Sequence, residues 1–319
     1  MYRLAGNTKK NPLRDSKAQI IHMPPKVSVV IASIVGAPFI DECIASVLHQ
    51  KDAPEYEVIV SDCRGKENVQ RLAAQFPQVR FIEHAQRETV PRLRRAAVEH
   101  AQGEFVAVIE EHCLAGEDWI ARLVAACDSQ YVAAGGPIFD YNYRRLRDWV
   151  TYFIEYNSYM PPWKDGEAWN LNGANLLYRR NALLANLTAL DKGYWEATLH
   201  PKLLAEGRKM RSVPDAVVYH RGPFDYFYYL RQRYLFSRAF AGARRAEVPV
   251  AKRLLYLLAS PLVPFLLFAR IGQRVLEKGR RTGKFIASTP LILPALFVYV
   301  FGECMGYTFG PGKALLEVE

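Results

Sequence analysis

Between residues 27 and 109, short apolar runs alternate with stretches whose apolar side chains recur three and four residues apart. The runs are VSVVIAS (27–33), EVIVSDC (57–63), VRFIEH (79–84) and EFVAVI (104–109). They are rich in Val and Ile and nearly free of polar alternation, which predicts strands covered on both faces of a parallel sheet. The intervening PFIDECIASVLHQ (38–50), NVQRLAAQF (68–76) and PRLRRAAVEHA (91–101) carry helical spacing. Strands alternating with helices of this length imply right-handed crossovers, so the expected fold is α/β, a doubly wound, mostly parallel, Rossmann-like sheet. Another helix is expected over 118–130. A less regular, aromatic-rich region then opens at YVAAGGPIF (131–139) and runs to about residue 245, with strand candidates at GANLLYRR (173–180) and SVPDAVVYH (212–220).

Beyond residue 248 the pattern changes again. LLYLLASPLVPFLLFA (254–269) and FIASTPLILPALFVYVFG (285–302) are apolar for 16 and 18 residues, each interrupted by two prolines: Pro261 and Pro264, then Pro290 and Pro294. A spanning helix needs ~20 residues. The connector RIGQRVLEKGRRTGK (270–284) is strongly basic. If both segments spanned, it would lie across the membrane from the α/β half, although both read as cytoplasmic. The segments are therefore expected to lie in the membrane plane or to re-enter it, and Gly302, Gly306 and Gly310, four apart, suit close helix packing. The organisation expected is a flexible basic tail (1–24), an α/β domain (25–245) and a hydrophobic membrane-associated region (246–319).

Composition narrows the partners. A formal charge of +10 suits phosphate-bearing ligands, anionic lipid or nucleic acid. No RNP-like, helix-turn-helix or zinc pattern accompanies that charge, so nucleic acid is not expected as a partner. The cysteines (Cys43, Cys63, Cys113, Cys127, Cys304) are scattered without a C-x-x-C pair, which points to a reducing compartment rather than a disulfide framework. Residues 1–24 lack the apolar core of a secretory signal.

Chemistry concentrates where the fourth strand ends. Glu110, Glu111 and His112 follow the apolar run directly, and ligands of parallel sheets bind at the carboxyl ends of the strands. Carboxylate oxygens and an imidazole are suitable ligands for a divalent ion.

From here the chain resembles the family 2 glycosyltransferases, whose fold is the GT-A nucleotide-sugar domain, over about residues 26–245. VSVVIASIVGAPFIDECIASVLHQ resembles the family's opening strand and helix, with Ser33 at its nucleotide-contacting Thr. In YEVIVSDCRG, Asp62 matches the base-contacting Asp, while Cys63 and Arg64 replace the usual Gly-Ser. Glu110, Glu111 and His112 stand where the family carries Asp-x-Asp, and EEHCLAGEDW, closed by Trp119, looks like a variant branch. The resemblance implies a divalent metal cofactor, Mn2+ or Mg2+, at Glu110 and His112, with His220 placed to join the metal or phosphate.

Further implied roles follow the family's order. Among Arg92, Arg94 and Arg95 in RETVPRLRRAAVEHAQGE (87–104), Arg94 and Arg95 are the candidates for the diphosphate. In NLNGANLLYRRNAL (170–183), Gly173 would let backbone approach the donor sugar and Asn175 would bond its hydroxyls. Counting back from Gly207 places Glu196 at the general base, with Trp195 replacing the usual acidic neighbour. Arg231, Gln232 and Arg233 resemble an Arg-Gln-Arg that faces donor phosphates or a lipid-phosphate acceptor. The expectation is an inverting, nucleotide-sugar-dependent transferase of hexosyltransferase type. Its acceptor would be a lipid-linked or polysaccharide hydroxyl at the cytoplasmic face of the cell membrane. The alternative is an inactive scaffold that kept the fold.

Overall fold

The computed structural model describes residues 24–191, 195–222 and 225–318. The expected basic tail lies, apart from Pro24, outside the described residues. The first half alternates as its hydrophobic pattern requires: β1 (Val27–Ser33), α1 (Phe39–Leu48), β2 (Tyr56–Asp62), α2 (Lys66–Gln75), β3 (Arg80–Glu83), α3 (Val90–His100) and β4 (Phe105–Ile109). Every residue of β1 and β4 is buried, as continuous apolar runs demand. After β4 come β5 (Cys113–Ala115), α4 (Trp119–Ala126), β6 (Tyr131–Gly135), β7 (Ile138–Tyr141), α5 (Leu146–Tyr156), β8 (Gly166–Ala168) and β9 (Asn175–Arg179). The short helices α6 (Arg180–Leu184) and α7 (Leu187–Leu190) lead to α8 (Trp195–Ala205), β10 (Lys209–Ser212), β11 (Val218–Arg221) and α9 (Tyr226–Ala243). The chain closes with α10 (Val250–Ala259), α11 (Val263–Lys278), α12 (Thr282–Phe309) and α13 (Ala314–Glu317).

The main sheet has eight strands in the order β3-β2-β1-β4-β9-β6-β10-β8, and β5-β11-β7 form a small second sheet. The β3-β2-β1-β4 half is parallel, whereas β9 runs antiparallel to both β4 and β6. Parallel register pairs Ser33 with Asp62, and antiparallel register sets Asn175 beside Ile109, so the ends that carry candidate residues share one edge. The region read as irregular holds the second sheet and the aromatic helix α5, whose Trp149, Tyr152 and Phe153 are buried.

The two apolar segments fold differently from each other. The first breaks at residues 260–262 into α10 and α11, bent by 74°. Pro261 sits at the break, and Pro264 lies in the first turn of α11, where a missing N–H breaks no helical bond. The second does not break at its prolines: α12 runs 28 residues through Pro290 and Pro294 and is long and apolar enough to cross a membrane. Packing overrides the propensity there. Helix α12 lies against α5 and α9, and Tyr226 donates to the Leu291 carbonyl at 2.7 Å between the two prolines. At the α9–α12 crossing, a Cβ on Gly302 would stand 2.1 Å from Ser237 Oγ, and one on Gly306 2.5 Å from the Arg238 carbonyl. The four-residue glycine spacing thus brings the backbones together. Helix α10, in contrast, has no buried residue and exposes Leu254, Leu255 and Leu258.

Candidate active site

Helix α3 begins with Thr89, whose side chain accepts from the Arg92 N–H, and its inward face carries Arg94 to the end of β4. The Arg94 guanidinium donates to Glu110 Oε1 at 3.2 Å and to the Gly173 carbonyl at 3.2 Å. His112 Nε2 lies 3.2 Å from Glu110 Oε2, and the Tyr156 hydroxyl donates to the same oxygen at 3.4 Å. Burial would raise the Glu110 pKa, but the adjoining His112 and Arg94 charges outweigh it and hold the carboxyl at about 2. Burial pulls the His112 pKa down and the Glu110 carboxylate more than reverses it, so the His112 pKa is raised.

A Glu110 carboxylate oxygen, a His112 ring nitrogen and Cys113 Sγ lie within 4.8 Å of one another and form a group able to hold a metal ion. The donor chemistry fits a divalent ion. A carboxylate and an imidazole at strand ends suit Mn2+, while burial keeps the Cys113 thiol protonated by raising its pKa well above normal. His220 of β11 is buried, with its ring 5.0 Å from the His112 ring and its Nδ1 hydrogen-bonded to the Tyr143 hydroxyl. Burial, reinforced by the His112 charge, drives the His220 pKa well down, so it is a neutral imidazole beside the group.

Glu196, in the first turn of α8, accepts a hydrogen bond from the Gly173 N–H. Burial raises its pKa above the carboxylate range, opposed chiefly by Arg94. Gly173 therefore bridges the two halves of the site: its N–H holds Glu196 and its carbonyl holds Arg94. A Cβ there would sit 2.2 Å from Glu196 Oε1 and 2.8 Å from the Arg94 guanidinium. Gly173→Ala should displace both groups, lowering turnover at least tenfold with little change in the unfolding midpoint. Turnover within twofold of wild type would show that the close approach is dispensable.

Several candidates take other positions. Glu111 also borders the cavity described below, but its carboxylate is engaged: it is 5% exposed and accepts the N–H groups of Ile34 and Val35 at 2.7 Å each and of Gly36 at 2.9 Å, pinning the β1–α1 loop. Asn175 is fully buried, with its Oδ1 accepting from Trp119 Nε1 and its Nδ2 donating to the Pro137 and Ala216 carbonyls. Arg95 points to the surface, where Glu99 and Asp191 hold it, and Arg92 pairs with Glu88. Arg231 is likewise at the surface, paired with Glu317 at 2.9 Å. Helical geometry explains these displacements, because Arg95 and Arg231 each neighbour an inward residue and so turn outward. Gln232 is buried within α9. Ser33 is fully buried, and Asp62 caps its own turn, accepting from the Arg64 N–H and from Asn68 Nδ2 at 2.8 Å each.

Arg94, Glu110, His112, Glu196 and Arg233 do converge, on a cavity of about 550 Å3. Glu155, Arg270 and Arg274, which the sequence reading missed, also line it. Arg233 pairs with Glu155 at 3.2 Å. A carboxylate inside the otherwise aromatic TYFIEY of α5, and two arginines four apart in the basic connector, were the available signals.

Comparison with known proteins matches residues 28–185 to the glycosyl transferase family 2. Among solved structures, the mannosyltransferase PcManGT from Pyrobaculum calidifontis, in complex with GDP-Man and Mn2+, is similar. It shares 18% identity over 90% of this chain and 88% of its own, with a TM-score of 0.56, and this likeness shows the GT-A-like fold. GalNAc-T7 with UDP, GalNAc and Mn2+ is 17% identical over 64% of this chain and 45% of its own, with a TM-score of 0.48. Comparison with curated proteins finds no match to this chain.

Proposed function

From the glycosyl transferase family 2 match over residues 28–185, we propose that this chain is a nucleotide-sugar-dependent, inverting glycosyltransferase. The observation that carries the reading is one cavity shared by the Glu110–His112 pair at the end of a parallel strand and the partly buried carboxylate of Glu196. In the reaction, the acceptor hydroxyl oxygen forms the new bond to the anomeric carbon as the bond from that carbon to the donor diphosphate breaks. The diphosphate leaves with the electron pair. Glu196 takes the hydroxyl proton, and attack from the face opposite the leaving group inverts the centre. Glu110 and His112 would hold a divalent ion, Mn2+ or Mg2+, which supplies charge compensation to the diphosphate. Arg94 adds a fixed positive charge and keeps Glu110 oriented through their hydrogen bond. In this reading the sugar is a hexose.

The enzyme works at the cytoplasmic face of the cell membrane, on a lipid-linked or glycan acceptor. The outward leucines of α10, its bend into α11 and the free state of all the cysteines support that location. Calorimetry should find one nucleoside diphosphate, among those of uridine, guanosine and thymidine, that binds in the presence of Mn2+. In the Glu110→Ala, His112→Ala double variant its affinity should fall at least tenfold. Absence of binding to all three, with or without Mn2+, would instead support the scaffold alternative.

A further inference from the structure

We propose that the part of the cavity bordered by α11 is an acceptor subsite for a phosphate carried on an apolar chain, with Arg270 and Arg274 holding the phosphate. The proposal rests on the transferase reading for its consequence, but not for its geometry. Helix α11 turns Leu267, Arg270, Ile271 and Arg274 toward the cavity, spaced at three and four residues on one face. The three arginines that α9 and α11 bring to this space are not equivalent. Arg233 is matched by Glu155 at 3.2 Å. Arg274 is held by uncharged oxygens, Asn157 Oδ1 at 2.8 Å and Ser158 Oγ at 2.6 Å. Arg270, among the described residues, makes no hydrogen bond or ion pair.

Two guanidiniums one helical turn apart, with no carboxylate bonded to either, repel each other. An anion between them removes that repulsion, and a phosphate matches their planar donor geometry.

The surroundings select which phosphate. Phe236, Phe240 and Leu296 give the same cavity an apolar wall, which free phosphate or a polysaccharide would leave unused. One turn before Arg270, the outer side of α11 exposes Phe265 and Leu266, 53% and 67% accessible, and α10 continues that surface with Leu258 at 80%. A chain leaving the arginines thus runs along an apolar face toward lipid. The same cavity also holds Glu196. A lipid-linked acceptor laid in this order places its phosphate at α11, its tail toward α10 and its hydroxyl-bearing head at the base.

The test titrates the full chain, in a non-ionic detergent, with dodecyl phosphate, dodecanol and inorganic phosphate. The expected result is dodecyl phosphate binding at least tenfold tighter than either of the others. Arg270→Glu should weaken it at least tenfold, Arg270→Gln should do nearly as much, and both should leave Mn2+-dependent nucleoside diphosphate binding within twofold. Arg270 is exposed, so either variant should fold, and unchanged melting of at least one confirms it. Equal dodecyl phosphate affinity in wild type and both variants overturns the proposal, as does equal affinity for inorganic phosphate. Joint loss of nucleotide binding would assign Arg270 to the donor instead. Loss confined to phosphatidylglycerol vesicles, with dodecyl phosphate unaffected, would also overturn it by making these arginines a bulk-lipid contact. Arg270-dependent binding of dodecyl phosphate in a protein that binds no nucleotide would sink the transferase reading and leave this site standing.

Discussion

Glu196→Gln is expected to lower the rate of sugar transfer by roughly 10²- to 10⁴-fold, the usual contribution of a positioned general base. The amide keeps an oxygen able to accept from the Gly173 N–H, so fold and donor binding should persist. The pH profile supplies the sign. Burial, with the Glu110 charge adding to it and Arg94 opposing, raises the Glu196 pKa above the ordinary carboxylate value. The ionised form is the base, so activity should fall as pH drops through this raised value, and the acid limb should lie above the range of an exposed glutamate. Transfer assays on both proteins between pH 4 and 8 decide the matter. A variant with wild-type turnover and the same acid limb would remove Glu196 from the mechanism.

Glu111→Ala should be the most destabilising single change in the site. Its carboxylate is the acceptor for three consecutive backbone N–H groups at 2.7 to 2.9 Å, and the substitution leaves all three without it. Hydrogen bonds to a charged group contribute about 1.5–3 kcal/mol each, and breaking a buried charged network costs about 3–5 kcal/mol in total. Ile34 and Val35 also line the cavity, so nucleotide affinity should drop with stability. Chemical denaturation reads the first effect and calorimetry the second. Glu111→Gln should fall between, because the amide retains one accepting oxygen. An unfolding midpoint unchanged in the alanine variant would mean that the loop holds itself.

The parallel half of the fold was legible because its signal is local. Strands β1, β2 and β4 bury nearly everything they carry, and runs of Val and Ile state that directly. Position along the chain also led to Glu110, His112 and Glu196, since strand ends and helix starts can be counted. What could not be counted was facing. Glu110 and Glu111 are adjacent, chemically alike and both at the cavity, yet Glu111 alone commits its carboxylate to three N–H groups of the loop beside it. Arg94 and Arg95 divide between the interior and the surface. The wall made by α11 was illegible for another reason: its arginines meet the site only through packing between segments more than a hundred residues apart, illustrated by Arg274 bonding Asn157. Pro290 and Pro294, which read as interruptions, lie inside an unbroken α12 that packs against α5 and α9.

The glycine crossing of α9 and α12 bears on the order in which the chain is made. Synthesis delivers the eight-stranded sheet, α8 and α9 before any of α11 or α12 exists. Until they are added, the space beside Glu110 and Glu196 lacks Leu267, Ile271 and Leu296 from its wall. Gly302 and Gly306 let α12 close on α9, and Phe285, Ile292 and Leu296 of α12 join the core that also holds β1 and β4. The last long helix therefore completes the core and the cavity in one step.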